Sequence, residues 1–204
     1  MSPKNANTSF ANRALFRNES IAIAALYLAT PNWKTVQQEV IATNLLQSRT
    51  ITNAQRLCRE LLSRLRTLNP AELQLLVTGT PIEQGYILWV AVCRCYPLIG
   101  RFAKDILRER HLSLKTDLRH QEFDVFFNKQ ADCHANLDDF KPATRAKRRQ
   151  ILFKILREAE LIDSNYRIRP AVLSQRLIQA ISEIDHTALT WFPAFDADLK
   201  APPQ

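Results

Sequence analysis

Apolar residues recur at helical spacing between residues 53 and 65, and they define one buried stripe along a helix. The stripe consists of Ala54, Leu57, Cys58, Leu61, Leu62 and Leu65. Thr52 followed by Gln55 has the spacing of a capping box, which predicts that the helix begins at Asn53. At about 100° per residue, the opposite face of this helix points outward and is polar. That outward face carries Gln55, Arg56, Arg59 and Ser63.

The same periodicity and the helix-capping signals predict further helices along the chain. Their ranges are 19–29, 33–43, 70–78, 81–95, 97–110, 118–129, 145–157 and 171–183. The range 19–29 is apolar nearly all round, which predicts a central place in the core, and 81–95 is expected to be a buried spine. The last helix is expected to pack through Val172, Leu173, Leu177, Ile178 and Ile181.

Turn residues are scarce, which argues against a sheet-rich fold. The chain has only three glycines in 204 residues and lacks Asn-Gly and Asp-Gly pairs. We therefore predict an all-α globular multi-helix bundle with two helix-turn-helix elements and a small two-stranded wing near residues 161–168. The connection at 111–116 suggests an N-terminal helical domain over 1–115 and a C-terminal, winged-helix-like domain over 116–204.

The charge balance favours an anionic partner. Lys and Arg number 28 against 20 Asp and Glu, which gives a net charge of +8. The first basic segment (residues 49–63) follows a helix and a polar connection, as a major-groove reader does. Its candidate DNA contacts are Arg49, Thr52, Asn53, Gln55, Arg56, Arg59 and Ser63. The alternative is the solvated face of an ordinary bundle helix, and an acidic protein is the second candidate partner.

The second basic segment (residues 141–149) opens a helix that Thr144 is expected to cap. Its candidate DNA contacts are Lys141, Thr144, Arg145, Lys147, Arg148 and Arg149. No acid occurs between Lys141 and Glu158, so neutralisation within the segment does not explain the cluster. With the wing that follows, residues 117–169 are typical of a winged helix-turn-helix. A solvated or protein-binding patch is the alternative.

Signals for other classes of protein are weak or missing. No stretch approaches the roughly 20 apolar residues of a membrane span, and no secretory signal pattern opens the sequence, so a cytoplasmic protein is expected. The four cysteines and four histidines lack metal-ligand spacing, and neither a phosphate-binding loop nor a nucleophile elbow occurs. We therefore expect a protein that is not an enzyme and needs no metal or cofactor.

Several short motifs carry a family resemblance over nearly the whole chain. They are residues 15–20 (LFRNES), Trp33 with Val36, residues 44–50 (NLLQSRT), Thr52, Arg56, and Arg64 with Leu65. In these positions the chain resembles the BrxA-type accessory proteins of BREX bacteriophage-exclusion systems. The resemblance implies a small all-helical protein that binds double-stranded DNA beside a methyltransferase and other BREX proteins. An assembly subunit with incidental nucleic-acid affinity and an RNA-binding bundle are the alternatives.

Overall fold

The computed structural model describes residues 14–133 and 141–199, and it confirms the all-α prediction. Nine α-helices account for most of this part of the chain. They are α1 (Arg17–Ala29), α2 (Trp33–Ala42), α3 (Ile51–Leu65), α4 (Pro70–Thr78), α5 (Pro81–Cys95), α6 (Pro97–Leu112), α7 (His120–Cys133), α8 (Pro142–Glu158) and α9 (Gln175–Ser182). A short 3-10 helix, His186–Trp191, follows α9.

Two helix starts have the capping geometry that the sequence predicts. At α4, the Asn69 side chain accepts from the Glu72 amide while the Glu72 carboxylate accepts from the Asn69 amide. Thr80 and Glu83 form the same reciprocal pair at α5. In both helices proline occupies the first position, where its missing N–H removes no helical hydrogen bond.

The predicted starts of the two basic helices were wrong. The α3 helix is capped by Thr50, whose hydroxyl accepts from the Asn53 amide at 3.2 Å, so Thr52 lies inside the first turn. Thr50 has the extended backbone that a cap requires. The α8 helix begins at Pro142 without a side-chain cap, which places Thr144 inside its first turn as well. Proline sets the start there because its φ is already helical.

The core is a single cluster of buried apolar side chains drawn from both halves of the described chain. The α5 helix is its spine, as predicted, and the consecutive residues 87–92 are each no more than 2% exposed. The Trp89 indole donates to the Trp191 carbonyl at 3.0 Å, which joins α5 to the 3-10 helix. The predicted division at residues 115 and 116 stays a prediction.

Two helices are less buried than the sequence suggested. Only Ser20, Ile23 and Ala24 of α1 are fully buried, so α1 lies against the core and not at its centre. The last helix begins at Gln175, later than predicted, and Val172 precedes it with 81% of its surface exposed. An apolar pattern alone could not distinguish a central helix from one that covers the edge of the core.

Buried ion pairs join elements that are distant in sequence. Arg94 of α5 donates two bonds to the Glu72 carboxylate, at 2.7 and 2.8 Å. Burial nevertheless raises the pKa of Glu72, and the bonds from Arg94 only partly oppose that shift. Glu83 pairs with Arg176 of α9 at 2.5 Å, and this pairing holds the pKa of Glu83 well below its usual range. Each pair compensates the cost of burying a carboxylate.

The α6 helix changes its winding near its middle. Its residues Ala103–Arg108 form a π-helical segment, after which Glu109–Leu112 is α-helical again. Arg108 is buried in this segment and pairs with Asp196 at 2.6 Å. Within the described ranges, no helix by itself is long and apolar enough to span a membrane; α5 and α6 together pass that test but meet at a 115° bend.

Residues 161–169 form a tight antiparallel turn at the predicted wing. The Arg169 amide donates to the Leu161 carbonyl at 2.9 Å, and an isolated bridge joins Ile162 to Ile168. The turn also pairs with residues 116–118, since the Ile168 amide donates to the Thr116 carbonyl at 2.7 Å. In the part of the chain that is described, this pairing does not extend into a regular strand.

A short segment before α1 contacts the carboxyl ends of both basic helices. Arg64, near the end of α3, donates to the Ala14 carbonyl at 2.9 Å. The Leu15 amide donates to the Glu158 carboxylate at the end of α8 at 2.6 Å. Arg17 adds a bond to the Glu158 carbonyl at 3.0 Å. Residues 14–17 therefore connect α3 and α8 at one place.

Candidate nucleic-acid interface

The first basic segment has the two faces that the sequence predicts. All six residues of the predicted apolar stripe are buried. The outward residues Gln55, Arg56, Arg59 and Ser63 are exposed, together with Arg49 and Thr52. Burying the stripe fixes the rotation of α3 about its own axis, so the polar residues between stripe positions must face solvent.

The exposed arginines of this segment have no acidic partner. No carboxylate in the described residues lies within ion-pair distance of Arg49, Arg56 or Arg59. Glu60 is the one acid within α3, and it pairs with the buried Arg64 at 2.5 Å. The outward face therefore keeps its positive charge.

Asn53 has a different place from its neighbours. It is half-buried, and its side-chain amide donates to the Ser48 hydroxyl at 3.4 Å. Ser48 in turn donates its amide to the Asn44 side chain at 3.0 Å, where Asn44 has a left-handed φ of 47°. These bonds hold the connection between α2 and α3 against the start of α3. Through these bonds Asn53 supports the outward face of α3 and is itself only partly exposed.

A shallow groove of about 510 Å³ runs between α2 and α3 and was not predicted from the sequence. Its lining consists of Gln37, Gln38, Ile41, Ala42, Gln55 and Arg59. The adjacent glutamines on the outer side of α2 were the available signal. They could be placed beside Gln55 only once the packing of α2 on α3 was known.

The second basic segment divides into exposed lysines and half-buried arginines. Lys141, Thr144 and Lys147 are exposed, whereas Arg145, Arg148 and Arg149 are only partly so. Burial lowers the pKa of the Arg148 guanidinium from its usual value. The arginines lie toward α7 because Ile151, Leu152, Phe153, Ile155 and Leu156 set the buried side of α8.

Asp124 of α7 neutralises part of this segment. Arg149 pairs with the Asp124 carboxylate, and Arg145 donates to the Asp124 carbonyl at 2.5 Å. The Arg145 guanidinium also lies 4.9 Å from the centre of the Phe127 ring. No acid lies within the segment, as the sequence shows, but part of its charge is neutralised by an acid from the neighbouring helix α7. The sequence of α8 alone does not reveal that acid.

His120 packs beneath the second basic segment. Its ring meets Phe153 edge-on at 4.6 Å and Tyr166 at 5.0 Å, so it joins α7, α8 and the turn at 161–169. Burial lowers the pKa of His120, and the positive charge of Arg149 adds to that shift. At neutral pH the ring is therefore uncharged and acts as a packing group.

The side chains that could bind a metal ion are scattered over the described part of the chain. Among the side chains described within residues 14–131 and 141–199, no group of three His, Cys, Asp or Glu residues could hold a metal ion. Cys58, Cys93 and Cys95 are free thiols, and burial raises the pKa of Cys58 and of Cys93. These two thiols are therefore neutral at physiological pH.

Comparison with known proteins identifies relatives over most of the chain. A family model described as BrxA matches residues 5–185. The chain is 28% identical over 150 residues to the BREX protein BrxA of Escherichia coli O9:H4 (strain HS), covering 74% of this chain and 70% of that protein. A crystal structure of an uncharacterized protein from Magnetospirillum magneticum shares the fold. Its TM-score is 0.77 at 20% identity, covering 93% of this chain and 96% of that chain.

The family match extends from the segment before α1 to the end of α9 and so includes both the first and the second basic segment. The fold, the family match and the curated relative agree with the resemblance seen in the sequence motifs. The protein therefore belongs to the BrxA family, whose members are components of BREX phage-defence systems.

Proposed function

We propose that this protein binds double-stranded DNA as its part in BREX defence, without catalysing a reaction. The observation that carries the proposal is the outward face of α3. There Arg49, Arg56 and Arg59 are exposed and no described carboxylate pairs with them. Unpaired arginines repel one another and lower stability, so a protein keeps them together more readily when an anion is to be bound.

Phosphate contacts supply most of the affinity in this proposal. Duplex DNA carries one negative charge per roughly 1.7 Å of its axis, and a basic helix face releases counterions as it binds. Arg56 and Arg59 are three residues apart and therefore neighbours on the helix surface. Arg49 precedes the helix, beside the capped start at Thr50. Exposed Thr52 can add a neutral hydrogen bond to the DNA backbone, whereas the Ser63 hydroxyl would first have to release the bond that it donates to the Glu60 carbonyl at 2.7 Å.

The second basic segment has a smaller part. Lys141 and Lys147 are exposed and, among the described residues, neither forms an ion pair. Arg145 and Arg149 must first leave Asp124, so they contribute less to the gain in free energy on binding. The turn at 161–169 lies next to α7 and α8 in chain order, as the wing of a winged helix-turn-helix does. We assign this unit to contacts with the DNA backbone.

A salt titration tests the proposal. Affinity for a random duplex is measured by fluorescence anisotropy between 50 and 300 mM salt. If the three exposed arginines and both lysines engage, log affinity should fall against log salt with a slope of about −4.5. The variant Lys141→Ala with Lys147→Ala should flatten the slope to about −2.7. If the protein shows no binding to duplex DNA at 50 mM salt, the proposal is overturned.

A matched control separates the two basic segments from net charge. The variant Lys104→Ala with Lys115→Ala also removes two positive charges, but from exposed positions outside both segments. This variant should keep the full salt slope. Structured RNA is added as a competitor in the same assay. If it displaces the duplex at equal nucleotide concentration, RNA binding replaces DNA binding as the function.

A second candidate function is docking of other BREX proteins, and an apolar hollow favours it. The hollow measures about 410 Å³, and Ile82, Tyr86, Pro170 and Val172 are in its lining. Val172 is 81% exposed and Ile82 is 45% exposed, although both are apolar. Exposed apolar residues around one hollow are typical of protein contact surfaces.

The two functions respond differently to nuclease. Association with other BREX proteins through the hollow should survive nuclease treatment and should be lost in Val172→Asp. The same variant should bind duplex DNA like the parent. Association that disappears with nuclease would show that DNA bridges the proteins, and it would leave DNA binding as the single function.

A further inference from the structure

The outward face of α3 also carries an apolar residue that the core does not explain. Ile51 is the first residue of α3, and 71% of its surface is exposed. Its neighbours Thr50 and Thr52 are exposed and polar. Exposing a large aliphatic side chain forgoes the roughly 1.5–3 kcal/mol gained by burying it. A surface made only for phosphate contacts does not need such a residue.

Ile51 begins a row of three chemically different side chains. Ile51, Gln55 and Arg59 are four residues apart in turn, so they lie on one ridge of α3. At 1.5 Å per residue the ridge spans about 12 Å, which is about three and a half base-pair steps. Arg59 bonds the Gln55 carbonyl through Nε at 3.3 Å and keeps its two terminal nitrogens for other partners.

This row matches the groups on base edges in the major groove. Aliphatic side chains contact the thymine methyl, glutamine pairs with adenine through two hydrogen bonds, and arginine pairs with guanine in the same way. The groove beside the ridge adds Gln37 and Gln38, which are two more amides, and no carboxylate lines it as far as the chain is described. An acidic protein partner would need only the arginines of this surface. The three glutamines and Ile51 would then have no role in binding.

We propose that α3 reads base sequence in the major groove, with Ile51 contacting the methyl group of a thymine and Gln55 and Arg59 bonding neighbouring bases. This inference rests on the proposed binding of duplex DNA. The two helices then have different roles: α3 contacts bases, whereas Lys141 and Lys147 of α8 contact only the DNA backbone. The protein therefore has a short preferred sequence that contains thymine.

The test removes one methyl group and nothing else from the DNA. The full chain selects ligands from a random duplex library, and the enriched duplex is remade with deoxyuridine in place of a single thymidine, at each thymine of the enriched motif in turn. Uracil keeps every hydrogen-bonding group of thymine. Affinity should fall by about four-fold, as expected for one buried methyl group. The Ile51→Ala variant should bind the thymidine duplex and the deoxyuridine duplex with equal affinity.

A control variant and the salt conditions make each outcome decisive. Ile184→Ala removes an exposed isoleucine that follows α9 and lies outside both basic segments and the apolar hollow, and it should keep the four-fold difference. Failure to enrich any sequence, equal affinity of the parent for both duplexes, or a difference that persists in Ile51→Ala would overturn base reading by Ile51. In each of these results the duplex is still bound, so DNA binding stands. Loss of all binding at 50 mM salt would instead overturn the proposed function.

Discussion

The first and second basic segments are similar in sequence and differ in what the fold makes of them. Residues 52–56 (TNAQR) and 144–148 (TRAKR) both lie in the first turns of a helix. In α3, Arg56 and Arg59 point away from the core, and neither forms an ion pair with a described carboxylate. In α8 two arginines pair with Asp124 and lie half-buried against α7. Charge density along a sequence therefore does not measure the charge available to a ligand.

The cause of the difference is the position of the apolar stripe. In α3 the stripe leaves Arg56 and Arg59 on the opposite side. In α8 the buried residues begin at Ile151 and turn Arg145 and Arg149 toward the neighbouring helix, where one carboxylate serves both. Two helices of like composition can thus differ, one with an exposed cationic face and the other with a structural ion pair.

The largest effect is expected from the first basic segment. The variant Arg56→Ala with Arg59→Ala removes two cations that are proposed to contact phosphate. At 0.1 M salt each cation accounts for about eight-fold in affinity, so the pair should cost about 60-fold and reduce the salt slope by about 1.8. Because neither arginine packs in the core, the melting temperature should stay within about 1 °C of the parent. Anisotropy and calorimetry on the same samples measure both quantities.

The opposite pattern is expected for Arg145→Ala with Arg149→Ala. This variant leaves the half-buried Asp124 without its partners and removes the contact of Arg145 with Phe127. A loss of about 1 kcal/mol should lower the melting temperature by roughly 2–4 °C. DNA affinity should change by less than about three-fold, because these side chains were not free to bind phosphate. If affinity fell as far as in the α3 variant, the contrast between the helices would be wrong.

Replacing the shared acid should make α8 resemble α3. In Asp124→Asn the two arginines lose their ion pair and a negative charge disappears. Affinity for duplex DNA should then increase by about three-fold at 0.1 M salt, with a steeper slope. The comparison variant is Asp105→Asn, which neutralises an exposed acid on α6 and should leave the slope unchanged. An unchanged affinity in Asp124→Asn would place the second basic segment outside the DNA interface.

The smallest effect concerns pH. The folded state holds the pKa of His120 below its unfolded value, so between those two values the unfolded chain binds more protons. Stability should therefore fall as pH drops from 7 toward 5, and the melting temperature of His120→Gln should depend on pH less steeply. His186→Gln, at an exposed position, serves as the control. The lowered pKa of His111 contributes equally to the parent and both variants. Equal pH slopes in His120→Gln and the parent would contradict the assignment.

Local signals predicted the parts of the fold that local contacts decide. The capping boxes at α4 and α5 are complete within four residues, so reading them needs no tertiary information. The stripe of α3 is likewise a property of its own helix. At its start two threonines compete, and Thr50 is the cap because it has the extended backbone. The predicted start at Asn53 placed Ile51 in the connection and hid its position on the ridge.

The rest depends on contacts between distant residues. Asp124 lies 21 residues before Arg145 and 25 before Arg149, and only the packing of α7 on α8 brings the three together. Arg64 follows the basic residues of α3 in sequence, yet Glu60 and the Ala14 carbonyl allow it to be buried. The groove with Gln37 and Gln38 likewise exists only between two packed helices.

The bonds made by Ala14 and Leu15 have a practical consequence for anyone altering this chain near its amino end. Ala14 accepts from the last turn of α3, and Leu15 donates to the last turn of α8. Trimming through these two positions, or fusing a rigid tag directly to them, would disturb both helices at once. A change in stability of such a variant could then not be attributed to either helix alone.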